Sequence, residues 1–147
     1  MIDNPLKYIE PFAKAGSDYI TVHVEQPDDI RECIRLIQSF GKKPGLAISP
    51  DTDVSVLTPY LDDIAMITVM SVYPGFGGQK FIESSYEKVR AISKMIAKKN
   101  ILLSVDGGVD YENVRRLEEA GVSMVVAGST VFRAENREES IRKLRGE

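Results

Sequence analysis

The sequence contains few of the residues on which disulfides and metal clusters depend. Its 147 residues include one cysteine, Cys33, and one histidine, His23. A single cysteine cannot form an internal disulfide, which suits a reducing cytoplasm, and a single histidine makes no metal site by itself. We expect Cys33 to be an apolar residue on a helix face. We expect His23 to be a packed strand residue bonded to Glu25.

An excess of one charge and a long apolar run are also missing. The chain carries 19 Lys and Arg against 22 Asp and Glu, a net charge of −3 and a pI near 5.3. Nucleic acids and anionic membranes attract basic surfaces, so the charge disfavours both as the main partner. No segment reaches the ~18 apolar residues of a membrane span, and the first residues do not resemble an export signal. These absences predict a cytoplasmic protein and leave room for a small anionic metabolite.

Short β-branched runs alternate with longer amphipathic stretches, which is typical of repeated βα units and a parallel sheet. The predicted strands are YITVHV, PGLAIS, MITVMSV, ILLSVDGG and SMVVAGS, and a helical pattern follows each, such as residues 83–100 after the third. No linker, low-complexity segment or charge block interrupts the pattern, so residues 1–147 are predicted to form one domain. A helical pattern at residues 5–16 has no strand before it, and we expect the chain to begin inside a βα unit.

Loops with glycine follow the last three predicted strands. They are Pro74–Gln79, Asp106–Gly108 and Ala127–Ser129. Glycine lets backbone amides converge on an anion, and a helix after the loop adds the positive end of its dipole. Each loop alone is more often a simple turn, but three in succession favour a phosphate site. Residues Ser129–Phe132 are predicted to be the short helix of that site.

Asp106 ends its strand directly before two glycines. A phosphate dianion would repel its carboxylate unless the carboxylate serves the other end of a substrate as an acid, a base or a metal ligand. The alternative is a turn aspartate that accepts hydrogen bonds from nearby backbone amides, and the pattern alone does not separate the two. Met70, on the loop side of its strand, is expected to line a ligand pocket.

Four segments together resemble one enzyme family. FAKAGSDYITVHVE, VMSVYPGFGGQKFI, ILLSVDGGV and AGVSMVVAGSTVF look like segments of the ribulose-phosphate 3-epimerases, in the same order. The resemblance implies a parallel (β/α)8 TIM barrel, of which this chain contains about five βα units, strands four to eight. It also implies an isomerase of the pentose phosphate pathway that interconverts D-ribulose 5-phosphate and D-xylulose 5-phosphate. Such enzymes use two aspartates and a divalent metal, for which we consider Zn, Fe, Mn or Co.

The same resemblance assigns roles to individual residues. Asp106 matches a metal ligand and one of the two acid/base aspartates that remove and return the proton at C3. The loop that covers the substrate is matched by Gly75, Phe76, Gly77 and Gly78, and the phosphate contacts are matched by Gly107, Gly108, Gly128 and Ser129.

The chain also departs from the family pattern. Relatives carry a serine on the first strand, an H-x-D pair on the second and an HLM segment on the third, and none of these occurs here. Met1 aligns with the methionine of HLM. Three of the four metal ligands and one catalytic aspartate are thus unmatched, so we expect an incomplete metal site and no activity from this chain alone. We expect a shortened form of a longer enzyme.

Two other functions stay open at this point. One is a sister epimerase that acts on allulose 6-phosphate, since the length of the sugar is not readable from these residues. The other is a non-catalytic half barrel that binds phosphate or a partner. The open edges of an incomplete barrel further predict self-association or a homo-oligomer, through YITVHV and SMVVAG, because unpaired strand edges readily pair.

Overall fold

Five parallel strands and the helices that connect them make up the fold. The computed structural model describes residues 2–147; Met1, aligned above with HLM, lies outside the described residues. The elements are α1 (Pro5–Lys14), β1 (Tyr19–His23), α2 (Ile30–Ser39), β2 (Lys43–Ile48), a 3₁₀ helix (Val54–Tyr60), β3 (Met66–Met70), α3 (Ser85–Met95), β4 (Leu102–Asp106), α4 (Val114–Glu119), β5 (Met124–Val126), α5 (Ser129–Phe132) and α6 (Arg137–Arg145). The strands form one sheet in the order β1-β2-β3-β4-β5. Across residues 2–147, no helix has the length and hydropathy needed to cross a bilayer.

Helix α2 shows how local sequence sets an element. The Asp29 carboxylate accepts a hydrogen bond of 2.8 Å from the N–H of Arg31, which satisfies one free donor of the first turn. At the other end, Gly41 adopts a φ of 69° and donates its N–H to the Gln38 carbonyl at 2.8 Å. This backbone conformation is open mainly to glycine and closes the helix. Cys33 is 0% exposed on the inward face of α2, as predicted.

The two faces of the sheet have different characters because side chains alternate along each strand. On the outer face, Ile67 and Val69 of β3 are fully buried with Val89 and Ile92 of α3 in the main core. The opposite face is concave, and we call it the inner face. Its side chains line an open cavity of about 610 Å³. The inner face mixes polar and apolar groups, so it is the face that can hold a ligand.

The sheet does not close on itself within residues 2–147. Strands β1 and β5 each pair with one neighbour, β2 and β4 respectively. Apolar side chains near these edges stay accessible: Phe12 is 53% exposed, Met124 40% and Val126 44%. Unpaired strand edges beside exposed apolar surface favour association with another chain.

We therefore predict that the 147-residue chain self-associates through its open face. Light scattering at high micromolar concentration should report a mass above the 16.3 kDa of one chain. Met124→Lys should reduce that association, because it places a charge on the accessible inner face beside β5.

The matched control is Val56→Lys. Val56 is 37% exposed on the 3₁₀ helix, away from the cavity, so this change should leave the association as it is. A monodisperse 16.3 kDa monomer in the unchanged chain would contradict the prediction.

Candidate active site

The carboxyl ends of the parallel strands bring the candidate residues to one edge of the sheet. Asp106, the last residue of β4, is in register with Met70 of β3 and with Val126 of β5. The side chains of all three line the inner-face cavity. Met70 thus lies in the pocket wall, beside the carboxylate that the sequence singled out.

Asp106 is half-buried, and its surroundings disfavour a charge. Burial raises the pKa of its carboxyl above the usual value of 3.8. Among residues 2–147 no backbone amide donates to this carboxylate, whereas Asp110 accepts such bonds from the N–H groups of Glu112 and Asn113, both at 3.0 Å. Asp106 therefore does not act as an ordinary turn aspartate within the described chain, and its oxygens lie where a ligand in the cavity would meet them.

Ser71 fixes the strand end that carries Asp106. Its N–H and its hydroxyl donate to the Asp106 carbonyl at 2.9 and 3.0 Å, and the hydroxyl also lies 2.6 Å from the Gly107 carbonyl. Ser71 is fully buried, and sequence reasoning missed it. The one available signal was a polar residue between Met70 and Val72, at a position where the strand pattern would place a core side chain.

The loop after β4 packs tightly against the loop after β3. Gly108 adopts a φ of 63°, and a Cβ at this position would lie 2.5 Å from the Phe81 nitrogen. The Asn113 side chain donates to the Gly108 carbonyl at 2.8 Å and so holds the turn from the other side. Glycine is required here for both reasons, conformation and close approach. Gly108 thereby lies directly beside Gln79 and Phe81, at the end of the loop after β3, while Gly107 lies against Val72 at its start.

The loop Pro74–Gln79 is exposed but anchored. The Gln79 amide donates to the carbonyls of Tyr73 and Phe76 at 2.8 and 3.1 Å, which ties the loop into a ring containing Gly75, Gly77 and Gly78. The Tyr73 hydroxyl donates to Asp51 Oδ1 at 2.9 Å, in the segment after β2. That hydrogen bond raises the pKa of Tyr73. Phe76, at the tip, is 93% exposed.

The third glycine loop leads into α5, the short helix predicted at STVF. Gly128 is its N-cap, and Ser129 is its first residue. The Thr130 hydroxyl donates to the Val109 carbonyl at 2.5 Å, which joins α5 to the loop after β4. The three glycine loops are therefore physical neighbours: the first is joined to the second at Gly108 and the second to the third at Thr130.

A half-buried lysine supports the segment to which Tyr73 is hydrogen-bonded. The Lys88 ammonium donates to the carbonyls of Ser49, Pro50 and Thr52 at 2.7, 2.6 and 2.6 Å. Desolvation lowers the pKa of Lys88. These bonds hold the chain on both sides of Asp51. They therefore also position the carboxylate to which Tyr73, directly before the loop Pro74–Gln79, is hydrogen-bonded.

His23 and Glu25 form the predicted contact at the end of β1. His23 Nδ1 lies 3.0 Å from Glu25 Oε2, and Glu25 Oε1 accepts the Ser49 N–H at 2.7 Å. His23 lines the same cavity as Asp106. Within residues 2–147, however, no three His, Cys, Asp or Glu side chains come together as a metal site. Asp106 supplies a single ligand of the set implied by the resemblance, so the residues present do not fit a complete metal centre.

The half-buried carboxylate of Asp106 should reduce the stability of the folded chain at neutral pH. Because the pKa of Asp106 is raised, its ionised form is less favourable in the folded chain than in the unfolded one. Asp106→Asn should therefore increase the melting temperature at pH 7. The gain should shrink as the pH falls through the raised pKa of the folded chain toward the ordinary value of 3.8, because the wild-type carboxyl then becomes neutral.

Thermal unfolding followed by circular dichroism between pH 4 and 8 measures this difference. Asp3→Asn, at an exposed position, is the control and should change little at any pH. A lower melting temperature for Asp106→Asn at pH 7 would contradict the prediction.

Curated relatives share this sequence over most of its length. The chain is 41% identical to "Ribulose-phosphate 3-epimerase" of Bacillus subtilis, over 99% of this chain and 69% of that protein. It is 39% identical to the protein of the same name from Chlamydia pneumoniae, over 100% of this chain and 67% of the relative. The chain thus spans about two thirds of the length of these relatives.

Solved structures show the fold. KGPDC from Streptococcus mutans, in complex with D-R5P, superposes with a TM-score of 0.78 at 18% identity, over 98% of this chain and 67% of that one. The 3-hexulose-6-phosphate synthase from Salmonella typhimurium superposes with a TM-score of 0.73 at 21% identity, over 99% of this chain and 68% of that one. These neighbours are TIM-barrel enzymes, which confirms the predicted partial barrel.

A sequence model described as "Ribulose-phosphate 3 epimerase family" matches residues 1–132. This match covers most of the chain, and the relatives are about 40% identical to it. The chain belongs to the ribulose-phosphate 3-epimerase family.

Proposed function

We propose that these residues supply the phosphate-binding part and one acid/base residue of a cytoplasmic enzyme that interconverts D-ribulose 5-phosphate and D-xylulose 5-phosphate. The observation that carries the proposal is the position of Asp106. Its carboxylate lines the cavity, while the glycine loops on β3, β4 and β5 surround its strand end. A ligand whose phosphate rests on the loops would extend its carbon chain toward this carboxylate.

The phosphate end of the ligand would be bound by backbone amides. Gly75 to Gly78, Gly107, Gly108, Gly128 and Ser129 lie on three adjoining loops, and amide donors that converge in this way bind anions without side chains. Apart from its chain neighbours, no heavy atom of the described residues lies within 4 Å of a Cβ built on Gly128, so the space beside it is open. An anion of phosphate size can approach the chain there.

The reacting end of the ligand would lie at Asp106. A proton next to a ketone is acidic enough for a positioned carboxylate to remove it, and the raised pKa makes Asp106 a stronger base than an exposed aspartate. Asp106 would take or return the proton at C3 from one side of the sugar. Inversion requires a second group on the opposite side, and the family's second aspartate is unmatched in these residues.

A divalent metal, Zn, Fe, Mn or Co, would polarise the substrate's carbonyl group in an enzyme of this kind. Residues 2–147 bring no set of metal ligands together beyond Asp106, so no step above uses a metal. The steps assigned here belong to the amides of the glycine loops and to one carboxylate.

Phosphate binding should be measurable in the 147-residue chain. Titration with D-ribulose 5-phosphate, followed by NMR, should shift the amide signals of Gly108, Gly128 and Ser129. Gly128→Val should weaken binding, because its side chain would occupy the open space beside the loop, while Ala15→Val, on an exposed turn after α1, should not. Titration with allulose 6-phosphate tests whether the site prefers the longer sugar.

Failure of these signals to move at millimolar ligand, while others do move, would place the phosphate elsewhere. Tight binding of a sugar phosphate that leaves Asp106 unperturbed would favour a binding module over an enzyme.

Epimerase activity of the 147-residue chain should be at least 10²- to 10⁴-fold below that of a full-length relative. The reason is the unmatched second acid/base group, since one positioned group contributes roughly that factor. A coupled assay with D-ribulose 5-phosphate and added Zn²⁺ or Mn²⁺ measures the rate. Turnover within a hundredfold of the relative would contradict the prediction.

A further inference from the structure

One arginine lies against the glycine loop that follows β3. Arg133 is the first residue after α5 and is exposed. A Cβ built on Gly78 would lie 3.2 Å from Arg133 Nη2 and 3.7 Å from both Nη1 and Cζ. Three atoms of the guanidinium group therefore face the Gly78 backbone. This contact joins the first glycine loop to the element that follows the third.

Arg133 is not engaged by another charge within the described chain. The ion pairs among residues 2–147 involve other arginines, such as Arg142, which binds Glu138 at 2.6 Å. The neighbouring Arg137 stacks on the Phe132 ring with its Cζ 5.5 Å from the ring centre. Arg133 thus presents a guanidinium with free donors at the edge of the proposed phosphate site.

A cation would strengthen anion binding at the proposed site, because the glycine loops supply no full positive charge. A sugar phosphate carries close to two negative charges at neutral pH, Asp106 adds another nearby, and the chain as a whole has a net charge of −3. Backbone amides provide partial charges alone, and α5 is four residues long, so its dipole is small. A guanidinium can donate two parallel hydrogen bonds to one phosphate group.

We infer that Arg133 is a phosphate-binding residue, whose guanidinium pairs with the phosphate group of the ligand while it contacts Gly78. By binding both, it holds the loop Pro74–Gln79 against the ligand. The ligand class is a phosphate monoester in its doubly ionised form. This inference rests on the proposed function, because it takes the glycine loops as the phosphate site.

The test compares Arg133→Gln with Arg137→Gln in the 147-residue chain, titrated with D-ribulose 5-phosphate and with inorganic phosphate at constant ionic strength. Arg133→Gln should weaken both ligands by roughly 10- to 100-fold, the range for a lost charge-assisted hydrogen bond. Arg137→Gln removes the same charge four residues away and should change affinity less than about twofold. Arg133→Lys should restore part of the affinity.

The pH dependence separates charge pairing from a structural role. A phosphate monoester loses its second proton near pH 6, so wild-type affinity for D-ribulose 5-phosphate should fall between pH 7.5 and 5.5, and Arg133→Gln should flatten that fall. Wild-type binding that Arg133→Gln leaves unchanged overturns the inference and leaves the proposed function standing. Absence of wild-type binding overturns both. A loss of binding in Arg133→Gln that retains the full pH dependence assigns Arg133 a structural role and also overturns the inference.

Discussion

The hydrogen bonds of Ser71 are the contact on which the site depends. One buried hydroxyl bonds the carbonyl of Asp106 and lies within bonding distance of that of Gly107, and the Ser71 N–H adds a second bond to Asp106. They fix the end of β4 relative to β3, so they set where the carboxylate stands and where the first glycine of the next loop begins. Neither the cavity wall nor the arrangement of the glycine loops would keep its geometry if β3 and β4 separated at this point.

Residues farther from this contact also hold the candidate site in place, although they have no role in the proposed reaction. Lys88 donates hydrogen bonds to three carbonyls in the segment after β2. In the same segment, Asp51 accepts a hydrogen bond from the Tyr73 hydroxyl. An ammonium removed from water is costly unless its donors are satisfied, and here three carbonyl oxygens satisfy them. The exposed loop Pro74–Gln79 is thus attached to a segment that Lys88 holds in place, although the tip of the loop is exposed.

The sequence predicted the fold well because the pattern is regular. Strands and helices alternate with clear periods, Gly41 ends α2, and STVF forms the short α5. Element ends were less readable: the helical pattern of residues 83–100 ends as a helix at Met95, since residues 97–100 are exposed and add no apolar face. Strand β5 is also shorter than the predicted strand SMVVAGS: it spans Met124–Val126 and pairs with β4.

Contacts between distant residues were outside the reach of the sequence. A lysine on an amphipathic helix is ordinarily a solvated residue, and nothing in its neighbours indicated that Lys88 binds carbonyls 36 to 39 positions away. The same holds for Arg133, whose guanidinium lies beside Gly78, 55 positions earlier in the chain. Local patterns identify the glycines and the carboxylate, whereas the groups that position them come from tertiary packing.

The strict order of the strands has a consequence for how the chain reaches this structure. Each strand pairs with the next one along the chain, so every pairing closes a loop the length of one βα unit. Closing such loops one at a time costs less entropy than a pairing between the two ends of the chain. Folding can therefore proceed by successive addition of units to a growing sheet. The unpaired strand edges that favour association between chains are therefore also the edges to which each new strand is added during folding.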